Sequence, residues 1–182
     1  IITLATDLVL DNCKLHLNGT RVMVETTSTN APVITIRNGG ELLITGGVQA
    51  GGEVGHIRAV SSVDPWTMNI GNSGSLVMDH GYLKNMATDS STGTSFLIGD
   101  GATLEMRNGS YILGSSTTDP DMATVKVAGG TLLTSTGDFG SARISNVGQT
   151  GTGLWLEATS SSNLQGVTVE NAGTGIKLHN SA

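Results

Sequence analysis

The sequence predicts an all-β solenoid in which six to seven coils of about 28 residues each contribute three short strands. The stretch "IGNSGSLVMDHGYL" at 70–83 returns 28 residues later as "IGDGATLEMRNGSYIL" at 98–113. Short runs in which Val, Ile, Leu and Thr alternate with small polar residues fill the chain, and many of its 26 Gly residues separate them. Because a fixed period is typical of stacked architectures, we expect residues 1–182 to form a single stack.

Each unit begins with a strand that ends on an apolar residue. These residues recur at an average step of 28, at Leu10, Ile36, Ile70, Ile98, Val127, Leu156 and Leu178. A second strand follows, beginning at Lys14, Glu41, Ser75, Thr103 and Thr131, with "SNLQG" in its place at 162–166. A third begins at Arg21, His56, Tyr82, Ser110, Ala142 and Val167. Since none of these strands can bury a face alone, like strands are expected to pair in parallel between coils.

A short corner between the first and second strands carries a repeated polar residue. Two positions after the last apolar residue stand Asn12, Asn38, Asn72, Asp100 and Asn180, with Gly or Ala in the other units. Asn and Asp tolerate a left-handed backbone, and we expect their side chains to hydrogen-bond up the stack as a ladder. All three prolines, Pro32, Pro65 and Pro120, lie shortly before a first strand, which supports the register because Pro cannot donate within a sheet.

Together these features resemble the right-handed parallel β-helix of the pectin-lyase-like superfamily. The resemblance spans nearly the whole chain and lies in the three strands per coil, the short Asn corner and two turns of variable length. The segment "NLQGVTVENAGTGIKLHNSA" at 163–182 is also similar to the parallel β-helix repeats of many secreted surface proteins. The resemblance implies the handedness, and it implies that polysaccharide-cleaving members hold ligands along the third strand and its flanking loops.

Composition excludes several classes of function. The net charge of −6 and the scatter of nine basic residues argue against binding of nucleic acid. No apolar run approaches the ~18 residues of a membrane span, so membrane insertion is not expected. Cys13 is the single cysteine, which excludes a disulfide framework. The sequons at Asn18 and Asn108 leave glycosylation open.

Catalytic residues are not expected, although the third strand offers basic candidates. A lyase of this type needs a basic residue to abstract a proton beside a carboxylate, for which Arg58, Lys84 and Arg143 are the candidates. It also needs an acidic calcium cluster, and no two adjacent coils place clear aspartates on that strand. The motif at 79–81, "DHG", echoes galacturonan hydrolases, but we interpret it as a turn because its counterpart at 107–109 is "RNG".

Weaker candidates exist for ligand and metal binding. Trp66 and Trp155 are expected as exposed rings that could stack on a sugar, and His56 lies on the third-strand face. No cofactor is expected, although Asp119 and Asp121 in "TTDPDM" are candidate calcium ligands. A plain turn is the preferred interpretation of that loop.

From these observations we expect a non-enzymatic β-helix of the cell surface or extracellular space, with a structural, adhesive or filament-forming role. Two alternatives remain: a carbohydrate-binding or lyase-like domain, and a segment of a phage or viral fibre. We find no capping helix, so we expect a segment of a longer protein or self-association through the end coils. Glycans are the other expected partners.

Overall fold

The computed structural model describes a chain built from strands. It covers residues 1–25, 31–46, 55–60, 66–89, 91–114, 119, 121–145 and 150–179. Those residues contain twenty strands and no helix, and every strand belongs to one of three parallel sheets. The predicted fold class, an all-β parallel β-helix with three strands per coil, is therefore confirmed.

Like strands of successive coils form each sheet. Sheet A holds β1 (Ile2–Leu4), β4 (Arg21–Val24), β7 (His56–Ala59), β10 (Tyr82–Lys84), β13 (Tyr111–Leu113), β16 (Ala142–Ser145) and β19 (Val167–Glu170). Sheet B holds β2 (Leu8–Asp11), β5 (Val33–Arg37), β8 (Thr67–Ile70), β11 (Thr94–Ile98), β14 (Ala123–Val127), β17 (Thr152–Glu157) and β20 (Thr174–His179). Sheet C holds β3 (Lys14–Asn18), β6 (Glu41–Thr45), β9 (Ser75–Asp79), β12 (Thr103–Arg107), β15 (Thr131–Thr134) and β18 (Ser161–Leu164).

The 28-residue echo in the sequence is one coil lying on the next. Ile70 pairs with Ile98 in sheet B, and Leu76 pairs with Leu104 in sheet C. Side chains alternate along each strand, so these apolar residues point inward and are completely buried. Each buried side chain of this size contributes about 1.5–3 kcal/mol relative to exposure, so the stacked apolar columns hold the coils together.

The Asn corner between sheets B and C is only partly as predicted. Asn12, Asn38 and Asn72 have the expected left-handed backbone, with φ of 50°, 52° and 48°. Asp100 does not, because Gly101 after it takes the left-handed position with φ 66°. The expected rung at Asn180 lies outside the described residues.

Backbone amides, rather than side-chain amides, form the ladder at this corner. The N–H of Asn38 donates to the carbonyl of Asn72 at 2.7 Å, and the N–H of Asn72 donates to the carbonyl of Asp100 at 2.9 Å. The side-chain amide of Asn38 instead donates to Asp11 Oδ1 at 3.0 Å, so the predicted side-chain ladder is wrong at that rung. Glycine follows the corner because a Cβ at Gly74 would lie 2.5 Å from the carbonyl oxygen of Ile36.

Two carboxylates join successive coils in the same way. Asp11 accepts from Arg37 Nε at 2.9 Å and from the Asn38 amide at 3.0 Å. Asp79 accepts from Arg107 Nε at 3.2 Å and from the Asn108 amide at 2.9 Å. We call each of these arrangements a clamp. In both clamps the donors belong to the tripeptide "RNG", at 37–39 and 107–109. The "DHG" motif therefore supplies a clamp and a turn, since His80 has a φ of 53°.

Shortening a side chain in an inward column should weaken the whole stack. We expect Leu104→Ala to lower the free energy of unfolding by about 2–5 kcal/mol, because it removes buried methyl groups and leaves a cavity. Leu133→Ala, on the outward and only half-buried face of the same sheet, is the matched control. Urea unfolding monitored by circular dichroism measures both; similar losses in the two variants would contradict the inward assignment.

The Asp11 clamp should make stability depend on pH. Hydrogen bonds from Asn38 and then Arg37 lower the pKa of Asp11 below its ordinary value of 3.8. The carboxylate therefore stabilises the fold fully above pH 3.8, and this contribution is lost as the pH falls through the lowered pKa. We expect Asp11→Asn to unfold at lower urea than the parent at pH 7 and to match it more closely as the pH falls below 3.8. Asp138→Asn, an exposed carboxylate, serves as the control.

Candidate functional site

The outer face of sheet A gathers basic and aromatic side chains. Arg21, His56, Tyr82, Tyr111 and Arg143 form one column in register on successive coils. Arg58 and Lys84 pair in the adjoining column. We call this face the sheet A surface and define it by Arg58, Tyr82, Lys84, Tyr111 and Arg143.

Two like charges face each other at its centre. Arg58 and Lys84 are direct register partners on neighbouring strands, an arrangement that destabilises a sheet. Arg58 is exposed and Lys84 is half-buried. Burial, and secondarily the charge of Arg58, lowers the pKa of Lys84. The Lys84 ammonium lies 4.7 Å from the centroid of the Tyr82 ring, which offers it partial compensation through a cation–π contact.

The pair differs from most other basic residues of the chain. Six of the nine form ion pairs with carboxylates, namely Lys14, Arg37, Arg107, Lys126, Arg143 and Lys177. Neither Arg58 nor Lys84 has a carboxylate partner within the part of the chain that the structure describes. An acidic protein thus leaves two adjacent cations without a counter-charge from its described residues.

Arg143 does not join this pair. It lies in the other column, two strands along the sheet from Lys84, and its guanidinium pairs with Glu170. The same guanidinium lies 5.2 Å from the ring centroid of Tyr111, and Tyr111 meets Tyr82 edge-on at 6.3 Å. Of the three basic residues named from the sequence, the structure therefore brings together only Arg58 and Lys84.

Trp66 is not the exposed ring that the sequence suggested. It lies one residue before β8 and is completely buried, with 0% of its surface exposed. Its indole N–H donates to the carbonyl of Lys84 at 3.1 Å. Trp66 therefore has no ring face to offer a sugar, and its role is to support the Lys84 end of β10 from inside the coil.

Trp155 points outward as predicted. It lies on sheet B, and two lysine side chains cover its ring. Lys126 and Lys177, on the strands either side, lie 5.1 Å and 3.8 Å from its centroid. Each lysine also pairs with a carboxylate, Glu157 and Asp121 respectively. The charges of both lysines are therefore neutralised within this cluster, which lies on sheet B and not on the sheet A surface.

The remaining predicted site residues have structural partners. His56 lies in the first column of sheet A between Arg21 and Tyr82 and is only 8% exposed. Asp119 Oδ1 accepts from the backbone N–H of Asp121 at 2.9 Å, and Asp121 pairs with Lys177.

Two features were searched for among the described residues, a metal centre and a membrane-spanning helix. Throughout the described ranges, we find no group of three or more His, Cys, Asp or Glu side chains placed to hold a metal ion. Calcium binding stays a prediction. The described residues also include no helix long and apolar enough to cross a membrane.

Sequence reasoning missed Phe139. This residue lies in the connection between β15 and β16, is 54% exposed, and packs its ring 3.9 Å from that of His80. The connection does not follow the strand period, so the periodic search passed over it. The available signal was an aromatic residue next to Gly140 in the connection at 135–141, where the apolar alternation of the strands is interrupted.

Apolar side chains are also exposed at both ends of the stack. Ile2 at one end is 50% exposed, and Leu178 at the other, which continues the inward column of Leu156, is 77% exposed. These are the surfaces through which the end coils were expected to associate. Association stays a prediction.

Fold and side chains together define a parallel β-helix with a basic and aromatic outer face. No protein-family model, curated protein or solved structure matches this chain.

Removing one charge of the central pair should stabilise the protein. We expect Arg58→Gln to raise the free energy of unfolding by a few tenths of a kcal/mol at low salt, because it relieves repulsion between like charges. The gain should shrink as the pH rises toward 10.5 and Lys84 loses its charge. Lys14→Gln, which breaks an ion pair with Glu41, is the control and should not stabilise. A destabilised Arg58→Gln variant would contradict the repulsion.

Proposed function

We propose that this chain is a non-enzymatic β-helix of the extracellular space or cell surface, of the pectin-lyase-like type, that adheres to acidic polysaccharide through the sheet A surface. The Arg58–Lys84 pair carries the proposal. Two adjacent cations that repel each other, in a chain of net charge −6, form a position that an external anion stabilises. Stability given up locally in this way is typical of a functional site.

The chemistry of the pair suits carboxylate or sulfate groups. The guanidinium of Arg58 is exposed and can take a carboxylate through two parallel hydrogen bonds. The ammonium of Lys84 is half-buried, so its attraction to an anion is screened less than at a fully exposed position. Tyr82, in contact with Lys84, adds an aromatic edge of the kind that sugar sites use together with charge.

Polysaccharide suits this surface better than nucleic acid does. Binding to nucleic acid depends on the neutralisation of many phosphates along an extended basic surface. Here most basic side chains outside the pair are already neutralised by carboxylates, for example Arg37 by Asp11 and Arg107 by Asp79. Two adjacent charges match the occasional anionic group of an acidic glycan.

A second function, cleavage of the same polymer, is favoured by one observation. The lowered pKa of Lys84 moves it toward the range in which lysine acts as a general base. In this reading Lys84 would remove the proton on C5 beside a uronate carboxylate that Arg58 holds. A C4=C5 double bond would form as the glycosidic C4–O bond breaks, and the leaving oxygen would take a proton from water. Adhesion remains the first proposal because the described residues show an unneutralised cation pair and no second assembled catalytic group.

Binding to a panel of acidic and neutral polysaccharides tests the proposal. We expect affinity electrophoresis to show retardation by polygalacturonate or another uronate polymer and none by dextran. The double substitution Arg58→Gln with Lys84→Gln should weaken binding at least tenfold, which corresponds to about 1.4 kcal/mol. Lys14→Gln, a paired lysine on sheet C, should bind like the parent. Equal binding by the double variant would refute the proposal.

The same samples separate adhesion from cleavage. Ultraviolet absorbance reports the unsaturated uronates that a lyase releases. We expect none to accumulate with the parent protein. Accumulation that is abolished by Lys84→Gln would show that the chain is an enzyme, and the non-enzymatic part of the proposal would then be wrong.

A further inference from the structure

Phe139 is the exposed aromatic ring of this protein. The chain has six Phe, Trp and Tyr residues, all within the described ranges, and the other five are buried or half-buried. Phe139 is 54% exposed at the tip of the turn at 135–141. Its apolar surface is therefore available to cover an apolar face of a ligand.

The turn that carries Phe139 is fixed in place. Gly137 and Gly140 exchange two backbone hydrogen bonds of 3.1 and 3.0 Å across its base. The N–H of Phe139 donates to Asn108 Oδ1 at 3.1 Å, and the Asn108 amide is itself bonded to Asp79. A Cβ at Gly109 would lie 2.5 Å from the carbonyl oxygen of Phe139, so glycine is needed for the turn to approach this closely.

A continuous path of rings joins Phe139 to the cation pair. The Phe139 centroid lies 3.9 Å from that of His80, and the His80 centroid lies 5.7 Å from that of Tyr82. The Lys84 ammonium lies 4.7 Å from the Tyr82 centroid. His80 is held in this path by a hydrogen bond from Nδ1 to the carbonyl of Asn108 at 3.2 Å. The path begins at the edge shared with sheet C and follows β10 along the strand.

We infer that Phe139 is the sugar-stacking platform of this site, and that the ligand is an acidic oligosaccharide with an apolar ring face at Phe139 and an anionic group at Arg58 and Lys84. This inference rests on the proposed function and specifies its ligand. The C–H groups on one face of a pyranose ring pack on an aromatic ring as other apolar groups do. Because the ligand must contact both Phe139 and the cation pair, we take it to be an oligosaccharide.

The charges along the path fix the orientation of the ligand. Asp138 is exposed next to Phe139 and repels an anion at that end. Arg58 and Lys84 attract an anion at the other end. The ligand therefore lies along the strand direction with its neutral, apolar part over Phe139.

Substitution of Phe139 tests the platform. With a tetrasaccharide of three neutral sugars and one terminal uronate as the probe in calorimetry, we expect Phe139→Ala to weaken binding roughly three- to tenfold, the range for loss of an aromatic contact. Phe139→Trp should retain affinity, and Phe139→Leu, which keeps an apolar side chain on His80, should lose it. Val9→Ala, an exposed apolar residue on sheet B, is the control and should bind like the parent.

The dependence of binding on salt distinguishes the contribution of Phe139 from that of the cation pair. The loss caused by Phe139→Ala should be the same at low and high salt, because stacking is not electrostatic. The loss caused by the Arg58→Gln and Lys84→Gln double variant should shrink as salt screens the charges. If Phe139→Ala and Phe139→Leu bind like the parent while the double variant is weakened, the platform is wrong and the proposed function stands. If the double variant also binds like the parent, the proposed function itself is wrong, and the platform at Phe139 is wrong with it.

Discussion

In-register parallel pairing between coils is the constraint on which the rest of this structure depends. The strands contain only three to six residues, so none is stable without the strand above and below it. Ile70 lies on Ile98 and Leu76 on Leu104 because the strands and the short corner between them have nearly the same length in every coil. A slip of one residue would turn the inward columns outward. The left-handed corners and close-packed glycines keep that length constant, and insertions are confined to the longer turns.

The same register decides how charges meet on the outside. Since each strand faces its counterpart one coil away, a charged residue has an obligatory neighbour. Lys14 faces Glu41, Asp11 faces Arg37 and Asp79 faces Arg107, so the chain places opposite charges in register at three positions. Arg58 facing Lys84 breaks that rule. Elsewhere the chain places a carboxylate opposite the cation, and this exception is the observation on which the proposed anion site rests.

The strands and the left-handed Asn12, Asn38 and Asn72 could be predicted from the sequence because a periodic pattern repeats the same signal in every coil. Two side-chain placements could not be predicted by the same search. Trp66 lies outside β8, yet the two-residue alternation of Met68 and Ile70 continues to it and buries it. Phe139 lies in a connection without a period, and its position depends on Asn108, 31 residues earlier. This contact with Asn108 depends on packing between coils, which no local pattern contains.

Sheet B shows which feature of the sheet A surface matters. Trp155, Lys126 and Lys177 also combine an aromatic ring with two cations, and their distances are similar to those around Tyr82. There, however, Glu157 and Asp121 neutralise both lysines, and the assembly is complete within the chain. Cation–π contacts alone therefore do not distinguish the proposed site from the sheet B cluster. The distinguishing property is a cation pair that the described part of the chain leaves unneutralised, joined through Tyr82 and His80 to an aromatic ring held in water.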